Sequence, residues 1–411
     1  MHFTFATAIT TLLSFVAATP QRVKQGGSAI PLSQRSSLVN ADKTVNLETL
    51  DSHAASTRVK ILRGLCNFEK NTGASHPVTV KRAQKRASGG LPLDPFGVGP
   101  KLWFGTVSVG TPPIIHTVMF DTGSRHVDLM LPGVDCDNSC DGHVVYDPAS
   151  STTSNNLGQP FVINYGRSDT AFGQQHTDNI TIVGLTATDQ TLGAASHYSR
   201  GLQIERFPPD GVMGMAFQSI SQYHQSPVFQ TLITQGQIDE PVFAFNFAPP
   251  GPELYLGGTN PDMYTGDFTY TQVTRQGHWQ VNMDNVVVDG AVVLTNVDSI
   301  IDTGTDLIQG RPEDVARFYE AVGGTPLFTN PRLYTFPCDD VPSVHFTFGG
   351  TSFLISAENL IVGLADPYSV NCISGIIAAD IPLWIVGAVF LSNVYTVFDV
   401  ANARVGFATL A

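Results

Sequence analysis

Thr117-Val118-Met119-Phe120-Asp121-Thr122-Gly123-Ser124 is answered, far down the chain, by Ser299-Ile300-Ile301-Asp302-Thr303-Gly304-Thr305. In both, an apolar run of strand character delivers an Asp to a turn, and the Gly two places on lets the backbone reverse sharply. One Asp-Thr-Gly triplet arises by chance in ordinary loops. Two, in matching surroundings, indicate an internal repeat whose halves can bring their carboxyls together. Such a pair is the core of an acid–base site.

The repeat extends beyond the triplets. Gly211-Val212-Met213-Gly214-Met215-Ala216-Phe217 follows the first Asp, and Trp384-Ile385-Val386-Gly387-Ala388-Val389-Phe390 follows the second. Each copy also carries a short amphipathic helix with readable ends. In the first, Ser226 is the expected cap, Pro227 the first helical residue, Val228 to Gln235 the body and Gly236 the stop. In the second, the helix starts at Pro312, continues through Val315, Phe318 and Ala321, and ends at Gly323-Gly324.

Upstream of the repeat the chain changes character twice. Met1 to Pro20 reads as a secretory signal, with a leader over residues 1–18. Residues 3–18 carry no charge, and Val16-Ala17-Ala18 offers small residues for cleavage. The run is too short to anchor the chain in a membrane, so export to the extracellular space is expected. From Gln21 to Arg86, twelve Lys or Arg stand against four acids, Asp42, Glu48, Asp51 and Glu69. The dibasic pairs Lys81-Arg82 and Lys85-Arg86 suit a processing protease. Residues 19–86 therefore read as a prosegment, with a mature start near Ala87. The remaining ten basic residues, with Lys101 as the single lysine, face 31 acids. A cationic segment docks on such an anionic partner near neutral pH and loosens as carboxylates protonate. The same anionic surface argues against nucleic acid as a partner.

Five cysteines fit a secreted chain. Cys136 and Cys140 share one loop rich in Gly, Asp and Asn, and Cys338 and Cys372 flank Val344 to Ile361, so two local disulfides are the economical reading. Cys66 is left over in the prosegment. No His/Cys cluster has zinc-ligand spacing, and neither metal nor cofactor is expected. Asn179-Ile180-Thr181 is the one acceptor sequon for glycosylation.

Many short runs rich in Val, Ile, Thr and Phe, punctuated by Gly and Pro, predict a mostly β protein. A mature chain of this length exceeds one comfortable core, and the repeat divides it into two lobes, 87–268 and 269–411. The seam is expected near Tyr264 to Thr274. The uncharged stretch Ile381 to Phe398 is read as buried strands rather than a membrane span, because Pro382, Gly387 and Ser392-Asn393 interrupt it.

At these residues the chain resembles the pepsin-like aspartic peptidases, of the secreted fungal type made as zymogens. The resemblance runs from about Trp103 to the C-terminus. It includes Val109-Gly110-Thr111-Pro112-Pro113, Leu256-Gly257-Gly258, Tyr264-Thr265-Gly266, Gly277-His278-Trp279-Gln280, Phe398-Asp399 and Val405-Gly406-Phe407-Ala408. It implies a bilobal fold of two related β-barrel-like lobes with a cleft between them, monomeric behaviour, and a prosegment that covers the cleft. It also implies an endopeptidase acting on polypeptides at acid pH through Asp121, Asp302 and a water between them. Like charges a few ångströms apart resist double ionisation, so such a pair shares one proton. Thr122 and Thr303 would cross-link the two loops, Gly123 and Gly304 would let backbone N–H groups approach the carboxyls, and Ser124 and Thr305 would bond the catalytic oxygens. Tyr165-Gly166 matches a hairpin flap over the substrate, which would bind as an added strand with apolar residues beside the cut bond.

Four positions depart from that pattern. Arg125-His126-Val127-Asp128-Leu129-Met130 lacks the Trp that usually holds the flap Tyr. The flap tip Arg167-Ser168-Asp169 is charged and lacks a second Gly. Asp306 stands where Ser or Thr is usual, close enough to raise the apparent pKa of the pair or to favour a basic substrate side chain. Ala388 replaces a common Asp. None removes a catalytic carboxyl. Together they define the alternative, a fold of this type that grips peptides with little or no cleavage. A polysaccharide hydrolase would need sugar-stacking aromatics, which the repeat does not suggest.

Overall fold

A computed structural model of the chain describes residues 27–34, 38–76, 103–123, 128–165, 169–249 and 251–411. Outside them lie the leader, both dibasic pairs, Lys101, Ser124, Arg125-His126-Val127, Gly166 and Arg167-Ser168, as do the side chains of Tyr165 and Asp169.

The repeated phrases build repeated sheets. The β-branched and aromatic strand Ile114–Asp121 runs parallel to Gly211–Gly214, with Phe120 opposite Met213 and Asp121 opposite Gly214. Gly211–Gly214 is antiparallel to Leu129–Pro132, which in turn runs parallel to Leu185–Tyr198. The second copy follows the same order. Ala291–Ile301 is parallel to Trp384–Val386, Trp384–Val386 is antiparallel to Ile308–Gly310, and Ile308–Gly310 is parallel to Ile376–Ala378. These strands are buried, so they read as continuous apolar runs rather than as alternations. The fold is mostly β and bilobal.

Among the described residues, an eight-stranded sheet carries most of the first copy, and a thirteen-stranded sheet carries the second and also takes in Ser28–Pro31, Val242–Asn246 and Glu253–Leu256 from before the seam. The strand Tyr264–Gln276 pairs with Arg404–Leu410 at one end and with Trp279–Val288 at the other, so the division drawn at 268/269 falls inside one strand. Beneath it sit Phe243 and Phe398, stacked at 4.9 Å, with Trp279 edge-on to both. All three are almost wholly buried, and each such side chain is worth roughly 1.5–3 kcal/mol of transfer free energy.

The helix Pro312–Val322 ends at Gly323, whose φ of 71° closes it in the left-handed region. The helix of the first copy differs from expectation. It spans Val228–Thr234 with Pro227 as the flanking residue and no side-chain cap. The Ser226 hydroxyl is drawn away to Gln218 Oε1, and its carbonyl accepts from Gln190 Nε2. The uncharged stretch folds as the strand Trp384–Val386, a short helix Ala388–Leu391 and the strand Val394–Asp399. Among the described residues, no helix is long and apolar enough to cross a membrane. Both expected disulfides, Cys136–Cys140 and Cys338–Cys372, are formed, and Cys66 is an exposed free thiol.

One element was not predicted. Leu47–Thr72 is a 26-residue helix, capped by the Asn46 side chain on Thr49 N–H and stopped by Gly73. Its buried positions, Leu50, Ala54, Thr57, Lys60, Ile61, Gly64, Leu65 and Phe68, recur at helical spacing. Two of them are polar. At 1.5 Å per residue it spans about 39 Å, enough to lie along a whole cleft.

Candidate active site

Each Asp sits where its strand ends and a tight turn begins. Met215 N–H donates to the Asp121 carbonyl at 2.9 Å, and Asp302 N–H donates to the Val386 carbonyl at 3.0 Å, so the apolar-Gly strands hold the loops in place. The threonines then bond the loops to each other. Thr122 Oγ1 donates to Ile301 O at 3.0 Å and accepts from Thr303 N–H at 3.0 Å. Thr303 Oγ1 donates to Phe120 O at 2.8 Å and accepts from Thr122 N–H at 3.0 Å. Four buried bonds thus tie the two copies across a pseudo-twofold axis.

That grip fixes the carboxyls. Gly123 N–H donates to Asp121 Oδ1 and Gly304 N–H to Asp302 Oδ1, each at 3.0 Å, while the Thr305 hydroxyl donates to Asp302 Oδ2 at 2.6 Å. Both glycines are required by close approach. A Cβ at 123 would stand 2.1 Å from Asp302 Cγ, and one at 304 would stand 2.2 Å from Asp121 Cγ. Asp121 and Asp302 are both buried.

The long helix enters here. Lys60 places Nζ 3.1 Å from Asp121 Oδ1, 2.8 Å from Asp302 Oδ1 and 2.6 Å from Asp302 Oδ2, with Thr305 Oγ1 at 3.3 Å. Burial alone would strip the proton from the ammonium, but the two facing carboxyls reverse this and hold its pKa above the ordinary value. The carboxyls themselves diverge. Burial, then the nearby Asp302, keeps the Asp121 carboxyl above the usual range despite Lys60. Burial also works against ionised Asp302, yet the Lys60 charge and hydrogen bond, with the Thr305 hydroxyl, outweigh it and hold its pKa down. One proton shared by a buried pair beside one cation leaves the centre neutral.

On either side of Lys60 the helix follows the cleft. Thr57 Oγ1 lies 3.3 Å from Thr305 Oγ1, and His53 Nδ1 lies 3.1 Å from Asp306 Oδ2. In the other direction the side-chain-free Gly64 admits the buried His278 ring, and Asn67 and Asn71 donate to the carbonyls of Ile220 and Ser221. Burial pushes the His278 imidazole down to about 3. Exposed pairs, Arg58 with Asp380 and Asp51 with Arg332, fasten the edges.

Asp121, Asp302, Thr122, Thr303, Gly123, Gly304, Thr305 and Asp306 therefore meet in one place. Ser124 lies outside the described residues. So do Gly166 and the Tyr165 side chain, although the backbone of Asn155–Tyr165 pairs antiparallel with Asp169–Ile182 to form a hairpin, Tyr165 opposite Asp169. Asn179 is on that second strand, half-buried, with its sequon partner Thr181 bonded to Thr186. Sequence reasoning missed Lys60, whose signal was only a Lys at helical spacing among apolar neighbours. It also missed the role of Asp128, a buried carboxyl that accepts from Ser221 Oγ at 2.8 Å and from the N–H groups of Gln222 and Tyr223. Among the described residues, no group of three potential metal ligands occurs.

A mirrored pair of Asp-Thr-Gly loops gripped by their threonines, at the junction of two alike β lobes, defines an aspartic peptidase. Comparison with known proteins agrees. The family model described as eukaryotic aspartyl protease matches residues 102–410. An aspartic protease of Phaffia rhodozyma is 35% identical over 390 residues, covering 92% of this chain and 91% of that protein. Cathepsin D of Chionodraco hamatus is 38% identical over 324 residues, 74% of this chain and 80% of its own length. Human cathepsin D is 34% identical over 338 residues, covering 75% and 81%. The chain belongs to the pepsin-like aspartic peptidase family and is an aspartic-type endopeptidase.

Proposed function

We propose that Asp121 and Asp302 are the catalytic pair of a secreted, acid-acting endopeptidase made as a zymogen, and that Leu47–Thr72 is its inhibitory helix. In this reading residues 1–18 are the leader, 19–86 the prosegment, and 87–268 and 269–411 the two lobes. The observation that carries the reading is the position of Lys60 Nζ, within hydrogen-bond reach of both carboxyls. A water molecule must stand in that place to attack a peptide bond, so the ammonium both fills the site and holds the carboxyls unreactive.

With the helix gone, the ionised carboxyl takes a proton from water as its oxygen attacks the peptide carbonyl carbon. The protonated partner gives its proton to the carbonyl oxygen. The resulting diol collapses as the C–N bond breaks: the leaving nitrogen takes the proton held by the carboxyl that activated the water, and one diol hydroxyl returns its proton to the partner carboxylate as the C=O forms. General acid–base assistance of this kind contributes about 10²–10⁴ in rate. The hairpin of Asn155–Tyr165 and Asp169–Ile182 would close over an extended substrate, with Tyr165 and Gly166 beside the scissile bond and Ser124 and Thr305 steadying the carboxyl oxygens.

Asp302 supplies one acid-sensitive part of the clamp; Asp121, held above the usual range, works in the opposite direction. Asp302 has a depressed pKa in the covered state, so its ionised clamp stabilises that state at pH above the ordinary carboxylate range. The contribution is lost as pH falls through the depressed value. The test is acid incubation of the full-length chain, then digestion of an unfolded protein substrate with and without a statine-type inhibitor. Wild type should lose the residues before Ala87 and cut. Asp121→Asn and Asp302→Asn should each lower kcat/KM by about 10³-fold or more. Cleavage indifferent to both substitutions would sink the assignment. Converted wild type that binds peptides without cutting would favour a binding protein instead.

A further inference from the structure

Asp306 has a second partner waiting. Its side chain is only 6% exposed beneath the helix; Oδ2 meets His53, and Oδ1 is buried with no hydrogen-bond partner among the described residues. An enclosed carboxylate with unfilled acceptor positions is costly unless a donor arrives. His53 supplies one bond, and it leaves with the helix.

The surroundings specify what could replace it. Leu50 and Ala54, which flank His53 on the helix, pack in one apolar cluster with Leu307, Leu333, Ile373 and Ile377. Departure of the helix therefore leaves an apolar wall with the Asp306 carboxylate set in it. A long aliphatic stem ending in a cation satisfies both parts, the stem covering the wall and the head bonding the carboxylate. Lysine and arginine have that shape. The covering helix sets the expected place in the substrate. His53 and Lys60 are seven residues apart, which at the helical rise is about 10 Å. An extended chain advances roughly 3.3 Å per residue, so the same interval is about three substrate residues.

We propose that Asp306 is a specificity-determining residue that receives a Lys or Arg side chain about three residues from the scissile bond, on the side of the cleft where His53 lies in the covered state. The proposal rests on the assignment of Asp121 and Asp302 as the catalytic pair.

The test uses acid-converted full-length chain and fluorogenic peptides that differ only at that position, lysine against norleucine. The two share a stem, so the ratio of kcat/KM isolates the charged head. Wild type should prefer lysine by about tenfold, the lower end of what a hydrogen bond to a charged group contributes. Asp306→Asn and Asp306→Ser should each bring the ratio close to one; a merely structural role would scale both peptides together and leave the ratio intact. Equal kcat/KM in wild type, or a ratio that survives both substitutions, overturns the proposal. Binding of the same peptide pair with statine at the scissile position separates the two readings. Tighter binding of the lysine ligand without cleavage of either substrate would retain Asp306 and dismiss the peptidase. Cleavage of both substrates at equal rates would do the reverse.

Discussion

The loop at Asp121 and the loop at Asp302 are copies in their backbone bonding and opposites in their setting. Each carboxyl accepts from the Gly two places on, and each Thr reaches across to the other strand. Beyond that the copies part. Asp302 takes the Thr305 hydroxyl and the shorter bonds from Lys60, and its carboxyl is held down; Asp121 meets Lys60 at a longer distance and is held up. Each loop is followed by a further acid, but Asp306 meets the helix in the cleft while Asp128 turns into its own lobe. Duplication supplies symmetric positioning, and the neighbours of each copy then set which carboxyl carries the proton.

The symmetric part can be broken from either side. Ala at 123 would drive its methyl carbon into Asp302, and Ala at 304 would do the same to Asp121, with separations of 2.1 and 2.2 Å to the carboxyl carbons. Neither carboxyl can retreat, because each is buried and bonded to the loop. Displacement by about 1 Å costs on the order of 10² in rate, and the overpacking adds roughly 1–3 kcal/mol of destabilisation. Gly123→Ala and Gly304→Ala should therefore lose kcat/KM by comparable factors of about 10² or more. Near-wild-type activity in one of them would show that the copies do not share the positioning.

The asymmetric part has a pH signature. Burial pushes the Asp128 carboxyl up to about 7, against the opposing hydrogen bonds from Ser221, Tyr223 and Gln222. With a raised folded-state pKa, its stabilising contribution is complete below the ordinary value of 3.8 and is lost as pH rises through about 7. The size is up to about 4 kcal/mol at 1.36 kcal/mol per pKa unit. Asn at 128 keeps an acceptor for the two N–H groups and can donate to the Ser221 hydroxyl, yet does not titrate. The difference in Tm between wild type and Asp128→Asn, measured at pH 4 and at pH 7.5, should shift by about 5 °C in favour of the variant at the higher pH. An unchanged difference would mean that the carboxylate is fully compensated by its donors.

Much of this was legible in the chain because it rests on local pattern. The two Asp loops, their apolar-Gly partner strands, the Cys136–Cys140 bridge and the Pro312 helix are each announced by a few neighbouring residues. The helix Leu47–Thr72 was not legible, because its buried face includes Thr57, Lys60 and Gly64. Hydrophobic periodicity discounts such residues, and their burial makes sense only against the two Asp loops and His278. Asp128 hid for the same reason, since its donors come from residues 221–223. At Ser226 a capping signal lost to a competing bond with Gln218.

The disulfides offer the gentlest separation of the lobes. Cys136–Cys140 closes a span of 4 residues and Cys338–Cys372 one of 34. In the chain-entropy description the long closure restricts the unfolded state more, by about 4 kcal/mol against about 2 for the short one. Cys140 and Cys372 are both buried against apolar neighbours, so replacement by Ala removes similar packing on each side and leaves loop length as the difference. Cys338→Ala/Cys372→Ala should accordingly be less stable in urea than Cys136→Ala/Cys140→Ala by about 2 kcal/mol. A larger loss from the short bridge would place its effect in the folded lobe, where Cys140 packs with Met119, Met130 and Phe161 beneath the first Asp strand.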